Sequence, residues 1–206
     1  MPSPVVPPYF QLVRHYERCL ERYGDSPQGV DWPNARDAQT RYRVMLDVVR
    51  GGEAALLDLG CGAGHLLEFI EQEDRRLDYV GYDLSEAFVE LCKRKFPRHE
   101  FRRVDVLTQD FPVFDYVIMN GLFTERRELD FSTMWAFVQS MLRVAFEHAR
   151  IGVAFNVMSS HVDWERDDLF HLPLDTLATY LVSDLSRRFV VRNDYGLYEY
   201  TVYLYK

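Results

Sequence analysis

The sequence predicts an α/β fold: a doubly wound, mostly parallel sheet of seven strands, with helices on both faces and an antiparallel hairpin strand at the C-terminal end. Three observations predict it. From Ala54 onward, short apolar runs alternate with stretches of helical periodicity, and strands separated by helices imply right-handed crossovers and a parallel sheet. The last two apolar runs are separated only by turn residues, Asn193 to Gly196, too few for a helix, so they pair antiparallel. Third, the stretch LLDLGCGAGHLL, Leu56 to Leu67, carries a strand into a helix through three glycines on alternate positions.

The elements follow in order. The Pro-rich opening MPSPVVPP reads as an extended arm. Tyr9, Leu12, Val13, Tyr16, Cys19, Leu20 and Tyr23 recur at three-and-four spacing, the mark of an amphipathic helix. Breakers fill Gly24 to Pro33, and a second helix spans Asn34 to Arg50 before Gly51 and Gly52 stop it. Ala54–Leu59 is the first strand and Gly64–Gln72 a helix. Asp78–Asp83 is the second strand. Ser85 is placed to cap a helix that ends at Phe96, ahead of Pro97. Further strands are read at Glu100–Val104, Phe114–Asn120 and Ile151–Val157, with a long helix over Phe131–Ala149. Leu174–Ser186 is helical, and Phe189–Arg192 and Leu197–Tyr205 form the hairpin. The 206 residues suit one domain, with 1–52 as a helical cap or lid and 53–206 as the core.

Composition narrows the function. Apolar residues make 48% of the chain and charged ones 27%, the balance of a soluble globular protein. No apolar run is long enough to cross a bilayer, and MPSPVVPPYF has neither a basic n-region nor an apolar h-region, so the expectation is a cytoplasmic chain. Net charge is −8 with dispersed basic residues, which argues against a nucleic-acid substrate. Cys19, Cys61 and Cys92 show no pairing or metal-ligand spacing and are expected as reduced thiols, with no metal site.

In an open α/β sheet, ligands sit beyond the carboxyl ends of the strands. The turn Gly60, Gly62, Gly64 lies there, and the following helix adds free N–H groups. A dinucleotide fingerprint needs its third glycine at position 65, which is His65. Asp58 ahead of the turn suits a ligand carrying an ammonium rather than a pyrophosphate.

The run DLGCGAG, Asp58 to Gly64, resembles the nucleotide-binding motif of class I S-adenosylmethionine-dependent methyltransferases. The resemblance extends from about Ala54 to the terminus and implies a Rossmann-like fold with S-adenosyl-L-methionine as cofactor. It implies that Asp58, Gly60, Cys61, Gly62 and Gly64 bind the cofactor. It further implies that Asp83 takes the ribose hydroxyls, Leu84 the adenine face, Asp105 the adenine amino group and the Val106 amide a ring nitrogen. Asn120, after the fourth strand, is placed to meet cofactor or substrate.

Methyl transfer is an in-line displacement in which the protein aligns the reactants and excludes water. The loop SSHVDWERDDLFHLPLD, Ser159 to Asp175, follows the fifth strand. His161 is the expected general base, oriented by Asp163 or Glu165, and Asn120 completes the catalytic set; His171 is read as structural. No NPPY-type signature of nucleic-acid amino methyltransferases follows the fourth strand. The expected acceptor is a small molecule, such as a sugar or another biosynthetic intermediate, with O- or N-methylation both open. The alternatives are a non-methylating use of the cofactor, such as intramolecular cyclisation, or a cofactor-binding subunit without its own turnover. Trp32, Tyr195 and Arg41 or Arg43 are further candidates for the site. Oligomeric state is not read from the sequence.

Overall fold

The computed structural model describes residues 6–206, so the first five residues of the expected N-terminal arm lie outside the described part. The elements are α1 (Phe10–Tyr23), a 3-10 turn (Pro27–Val30), α2 (Ala35–Leu46), β1 (Ala54–Leu59), α3 (His65–Gln72), β2 (Leu77–Asp83), α4 (Glu86–Lys95) and β3 (Glu100–Arg103). Then follow β4 (Phe114–Phe123), α5 (Phe131–Glu147), β5 (Ala149–Ser159), β6 (His171–Leu172), α6 (Leu174–Tyr180) running into a π turn (Leu181–Leu185), β7 (Phe189–Arg192) and β8 (Glu199–Tyr205).

Local chemistry sets the helix ends. Gly24, at φ 63°, closes α1 by donating its N–H to the Leu20 carbonyl, the left-handed stop that glycine makes at low cost. The side chains of Asn34, Ser85 and Asp130 accept from the first turns of α2, α4 and α5. Each satisfies an amide that the helix itself leaves free.

The sheet order is β3-β2-β1-β4-β5-β8-β7. β1 to β5 are parallel along this path, and β8 runs antiparallel between β5 and β7. The chain builds outward through β1, β2 and β3, then returns to place β4 on the other side of β1. That reversal is the switch point at which a crevice opens beyond the strand ends. Strand side chains alternate between faces, and two cores result. Leu57, Val117 and Phe155 pack with Leu12, α5 and α6 on one face. Leu56, Ile118 and Ala154 pack with α2, α3 and α4 on the other.

The structure adds three features to the sequence expectation. β4 continues to Phe123 through a register shift after Met119, which Gly121 permits at φ 78°. β5 continues to Ser159. The loop that follows contains a two-residue strand, β6, beside β5, so the sheet has eight strands with seven along the main path. Its two-residue length hid β6 from periodicity. Among the described residues no helix is long and apolar enough to cross a membrane.

Candidate active site

The glycine turn is stitched to the end of β2. The Gly60 and Cys61 amides donate to the Tyr82 carbonyl at 2.8 and 3.1 Å, and the Gly62 amide donates to Asp83 Oδ2 at 2.9 Å. All three glycines lie at positive φ, 82°, 51° and 75°, where a side chain costs about 1–2 kcal/mol. Their surroundings differ. A Cβ on Gly64 would sit 2.8 Å from the Phe96 ring and 3.2 Å from Cys92 Sγ, so this glycine lets α3 start against α4. One on Gly62 would meet only Val30, at 3.2 Å. The turn therefore serves both packing and the open crevice.

That crevice is a cavity of about 130 Å³. Asp58, Gly60, Cys61, Gly62, Asp83, Leu84, Asp105, Val106 and Asn120 all line it. Gly64 does not; it sits behind the wall as the residue preceding α3. Asp58 is buried and accepts from the Tyr79 hydroxyl at 2.7 Å. Burial pushes its pKa up to about 7, with the neighbouring charge of Asp83 adding to the rise and the Tyr79 hydrogen bond opposing it. Asp83 is also raised by burial, against hydrogen bonds from the backbone. Its Oδ1 accepts from Ser85 N at 2.8 Å and its Oδ2 from Gly62 N, and a carboxylate keeps further lone pairs for two hydroxyls. Asn120 Oδ1 is buried without a hydrogen-bond partner. An orphaned acceptor on the wall of a crevice calls for a donor from a ligand. Three carboxylates and this amide suit S-adenosylmethionine, which brings an ammonium, two hydroxyls and an adenine amino group.

The N-terminal segment roofs the cavity. Tyr9, just before α1, and Leu12, Val13 and Tyr16 of α1 line it, as do Val30 and Trp32. The Tyr9 hydroxyl donates to Asp105 Oδ2 at 2.9 Å, and Ser85 Oγ donates to Glu17 Oε1 at 2.7 Å. Asp25, just past α1, pairs with His65 and Lys95, both at 2.8 Å. Trp32 lies against Gly121, where a Cβ would come within 2.6 Å of the indole. The Arg41 guanidinium stacks over the Trp32 ring at 4.2 Å.

Arg41 is not a surface residue. It is buried, and its Nε donates to Glu199 Oε2 at 2.8 Å. Glu199 Oε1 accepts from Asn156 Nδ2 at 2.9 Å, and Asn156 Oδ1 accepts from Gly121 N at 2.7 Å. Tyr195 donates to the same carboxylate at 3.4 Å and does not line the cavity. This chain of bonds holds the β4 bulge and, through it, the place of Trp32.

A second cavity of about 260 Å³ shares Trp32 with the first. Asp163, Trp164, Arg166 and His171 of the post-β5 loop line it, with Asp31, Arg41 and Glu125 opposite. His161 lines neither cavity; it is exposed, and its amide donates to Ser159 Oγ at 3.0 Å. Glu165 is likewise exposed and outside both. Both ring nitrogens of His171 are engaged. Nδ1 lies 2.6 Å from the Ser159 carbonyl and Nε2 accepts from Arg166 N at 3.2 Å, so the ring is held between two backbone groups of the loop. Glu125 was not among the site residues expected from the sequence. It is buried, and that burial raises its pKa from the ordinary value, with the charge of Asp31 adding to the rise and the Arg127 guanidinium at 3.1 Å opposing it.

Residues 57–145 match the family model described as a methyltransferase domain. A protein of Mycobacterium tuberculosis named "Putative methyltransferase Rv1506c" is 30% identical over 153 residues, covering 72% of this chain and 91% of the relative. Among solved structures, magnesium protoporphyrin IX methyltransferase of Synechocystis PCC 6803, with S-adenosylmethionine bound, superposes with a TM-score of 0.67 at 16% identity, covering 99% of both chains. The [4+2]-cyclase SpnF superposes with a TM-score of 0.62 at 18% identity, covering 89% of this chain and 74% of that one. By its family model and its mycobacterial relative, with a fold to match, the chain belongs to the class I S-adenosylmethionine-dependent methyltransferases.

Proposed function

We propose that this methyltransferase modifies a small molecule seated in the second cavity, against Trp32. The observation that carries this reading is the adjacency of two cavities across a single indole: one lined by the motif carboxylates and the orphaned Asn120 oxygen, the other by polar and aromatic residues of the post-β5 loop. The named small-molecule methyltransferase among the structural neighbours supports an acceptor of this size class.

When bound, S-adenosylmethionine supplies an electrophilic methyl group on a sulfonium. The chain's own residues then have three tasks. Asp58, Asp83 and Asp105 bind and orient. Leu12, Val13 and Trp32 cover the crevice and exclude water, which strengthens each polar contact inside it. Glu125 takes the proton of a hydroxyl or amine acceptor. Of the carboxylates that line the second cavity it is the buried one, and that burial raises its proton affinity, the direction a general base needs. His161 and Asp163 remain candidates from the sequence, of which only Asp163 faces this cavity.

The test is steady-state methyl transfer with a panel of hydroxyl- and amino-bearing small molecules. An active acceptor should yield S-adenosylhomocysteine, and Glu125→Gln should lower kcat by about 10²–10⁴-fold, with His161→Ala within about twofold of wild type. Release of methylthioadenosine with no acceptor added would replace methyl transfer by ring closure. Unchanged kcat in Glu125→Gln would remove the base from this account.

A further inference from the structure

The sequence separates His15, Cys19 and Asp31, and the fold brings them together. His15 and Cys19 stand four residues apart on α1, so they share one face of the helix. Asp31 follows the 3-10 turn Pro27–Val30 in the left-handed region, at φ 60°, a conformation uncommon for a residue other than glycine. That backbone turns its carboxylate back toward α1. His15 Nε2 lies 2.6 Å from Asp31 Oδ2 and 3.8 Å from Cys19 Sγ. The three donor atoms all fall within 4.8 Å of one another. His15 is 9% exposed, and Asp31 reaches the second cavity.

We propose that His15 Nε2, Cys19 Sγ and an Asp31 carboxylate oxygen form a binding site for a thiophilic divalent transition metal of the zinc type. Imidazole, thiolate and carboxylate are the ligands this ion prefers, and three protein ligands leave a fourth, tetrahedral position for water. Without metal, the three groups hold one another through hydrogen bonds on the same imidazole nitrogen. Burial pushes the Cys19 thiol up, and the charges of Asp31 and Glu125 push it further, while Arg127 and Arg18 oppose them. The thiol is therefore protonated in the metal-free chain. Metal entry forms the metal–sulfur bond, breaks the S–H bond and releases one proton to solvent. In the metal-free chain Nε2 carries the proton that Asp31 accepts; on metal entry that proton shifts to Nδ1, so Nε2 presents its lone pair to the metal and the net release stays at one proton.

The site would join two segments that frame the first cavity. Leu12 and Tyr16 come from α1, and Val30 and Trp32 flank Asp31. A metal across His15, Cys19 and Asp31 staples this roof together. The proposal stands on the donor geometry alone and does not depend on the methyl-transfer reading.

The test uses the full chain, stripped of metal with a chelator and titrated with Co²⁺, then Zn²⁺. The expected result is one saturable site. It shows the intense ligand-field absorption of four-coordinate cobalt with a thiolate-to-cobalt charge-transfer band, and one equivalent of Zn²⁺ bleaches both. Cys19→Ser should lose the charge-transfer band, and Cys19→Ser, His15→Gln and Asp31→Asn should each weaken binding at least tenfold. Asp31 is the exposed member, so Asp31→Asn tests the site without disturbing a core position. Absence of saturable cobalt binding to wild type, survival of the thiolate band in Cys19→Ser, or unchanged affinity in Asp31→Asn would each overturn the proposal.

Discussion

Asp58 shows how burial gives one carboxylate a dual dependence on pH. Its folded pKa of about 7 stands above the ordinary 3.8, so between those values the folded state holds a proton that the unfolded chain has released. For this group alone, the ligand-free protein loses stability as pH rises from about 4 to about 7, and is level above that. Binding has the opposite sign. An ammonium pairs with the ionised form, so the affinity for S-adenosylhomocysteine should fall as pH drops below about 7, by up to about tenfold per pH unit. Asp58→Asn should weaken binding at pH 8 and flatten this dependence; calorimetric titrations at several pH values check both. A second prediction concerns Gly64. Alanine there meets an unfavourable φ of 75° and a contact of 2.8 Å with Phe96. Gly64→Ala should cost about 3 kcal/mol, lowering Tm by ~10 °C. A melt within ~2 °C of wild type would contradict the packing role. The turn was legible in the sequence because three alternating glycines announce positive φ. Which of them faces ligand and which faces Phe96 was not, because that depends on α4, 30 residues away in the chain.

At the scale of elements, strand identity and helix capping were readable where periodicity is long. Ser85 caps α4 as its letter suggested, and β8, buried at all seven positions, reads as the continuous run it is. The post-β5 loop was legible only as long and polar. Its β6 pairing and its Glu125–Leu169 bridge to the end of β4 are long-range contacts without local signature. They aim Asp163 and His171 at the second cavity and leave His161 outside. The role of α1 was likewise only hinted at by its position. A cavity of about 130 Å³ is smaller than the ~300–1,000 Å³ of ordinary small-molecule sites, so α1 is expected to lift when an adenosyl cofactor enters. The Glu17–Ser85 and Tyr9–Asp105 hydrogen bonds hold it down. Glu17→Ala should therefore speed both association and dissociation of S-adenosylhomocysteine by about threefold or more, at roughly 1 kcal/mol for the lost hydrogen bond. Stopped-flow quenching of Trp32 fluorescence reads this directly. Rates equal to wild type would mean that entry does not require α1 to lift.

For the whole molecule, the fold follows from a short set of sequence decisions: alternating apolar runs, a hairpin ending too tight for a crossover, and glycines at the first strand end. The topology then places the site at the β1–β4 switch point. What the sequence hides is the buried polar line from Arg41 through Glu199 and Asn156 to the Gly121 amide. It links α2, β8, β5 and β4, residues up to 158 positions apart. No local pattern predicts such a line, because each member alone reads as a surface charge or amide. Its effect is to fix the wall between the two cavities. The most direct test of the central claim is isothermal titration of S-adenosylhomocysteine into the purified chain and into Gly62→Val, with circular dichroism confirming that both are folded. Wild type should bind one ligand per chain, and Gly62→Val, whose side chain at φ 51° would press on Val30 and narrow the crevice, should lose at least a hundredfold in affinity. No heat with wild type, or equal affinity in the folded variant, would contradict it.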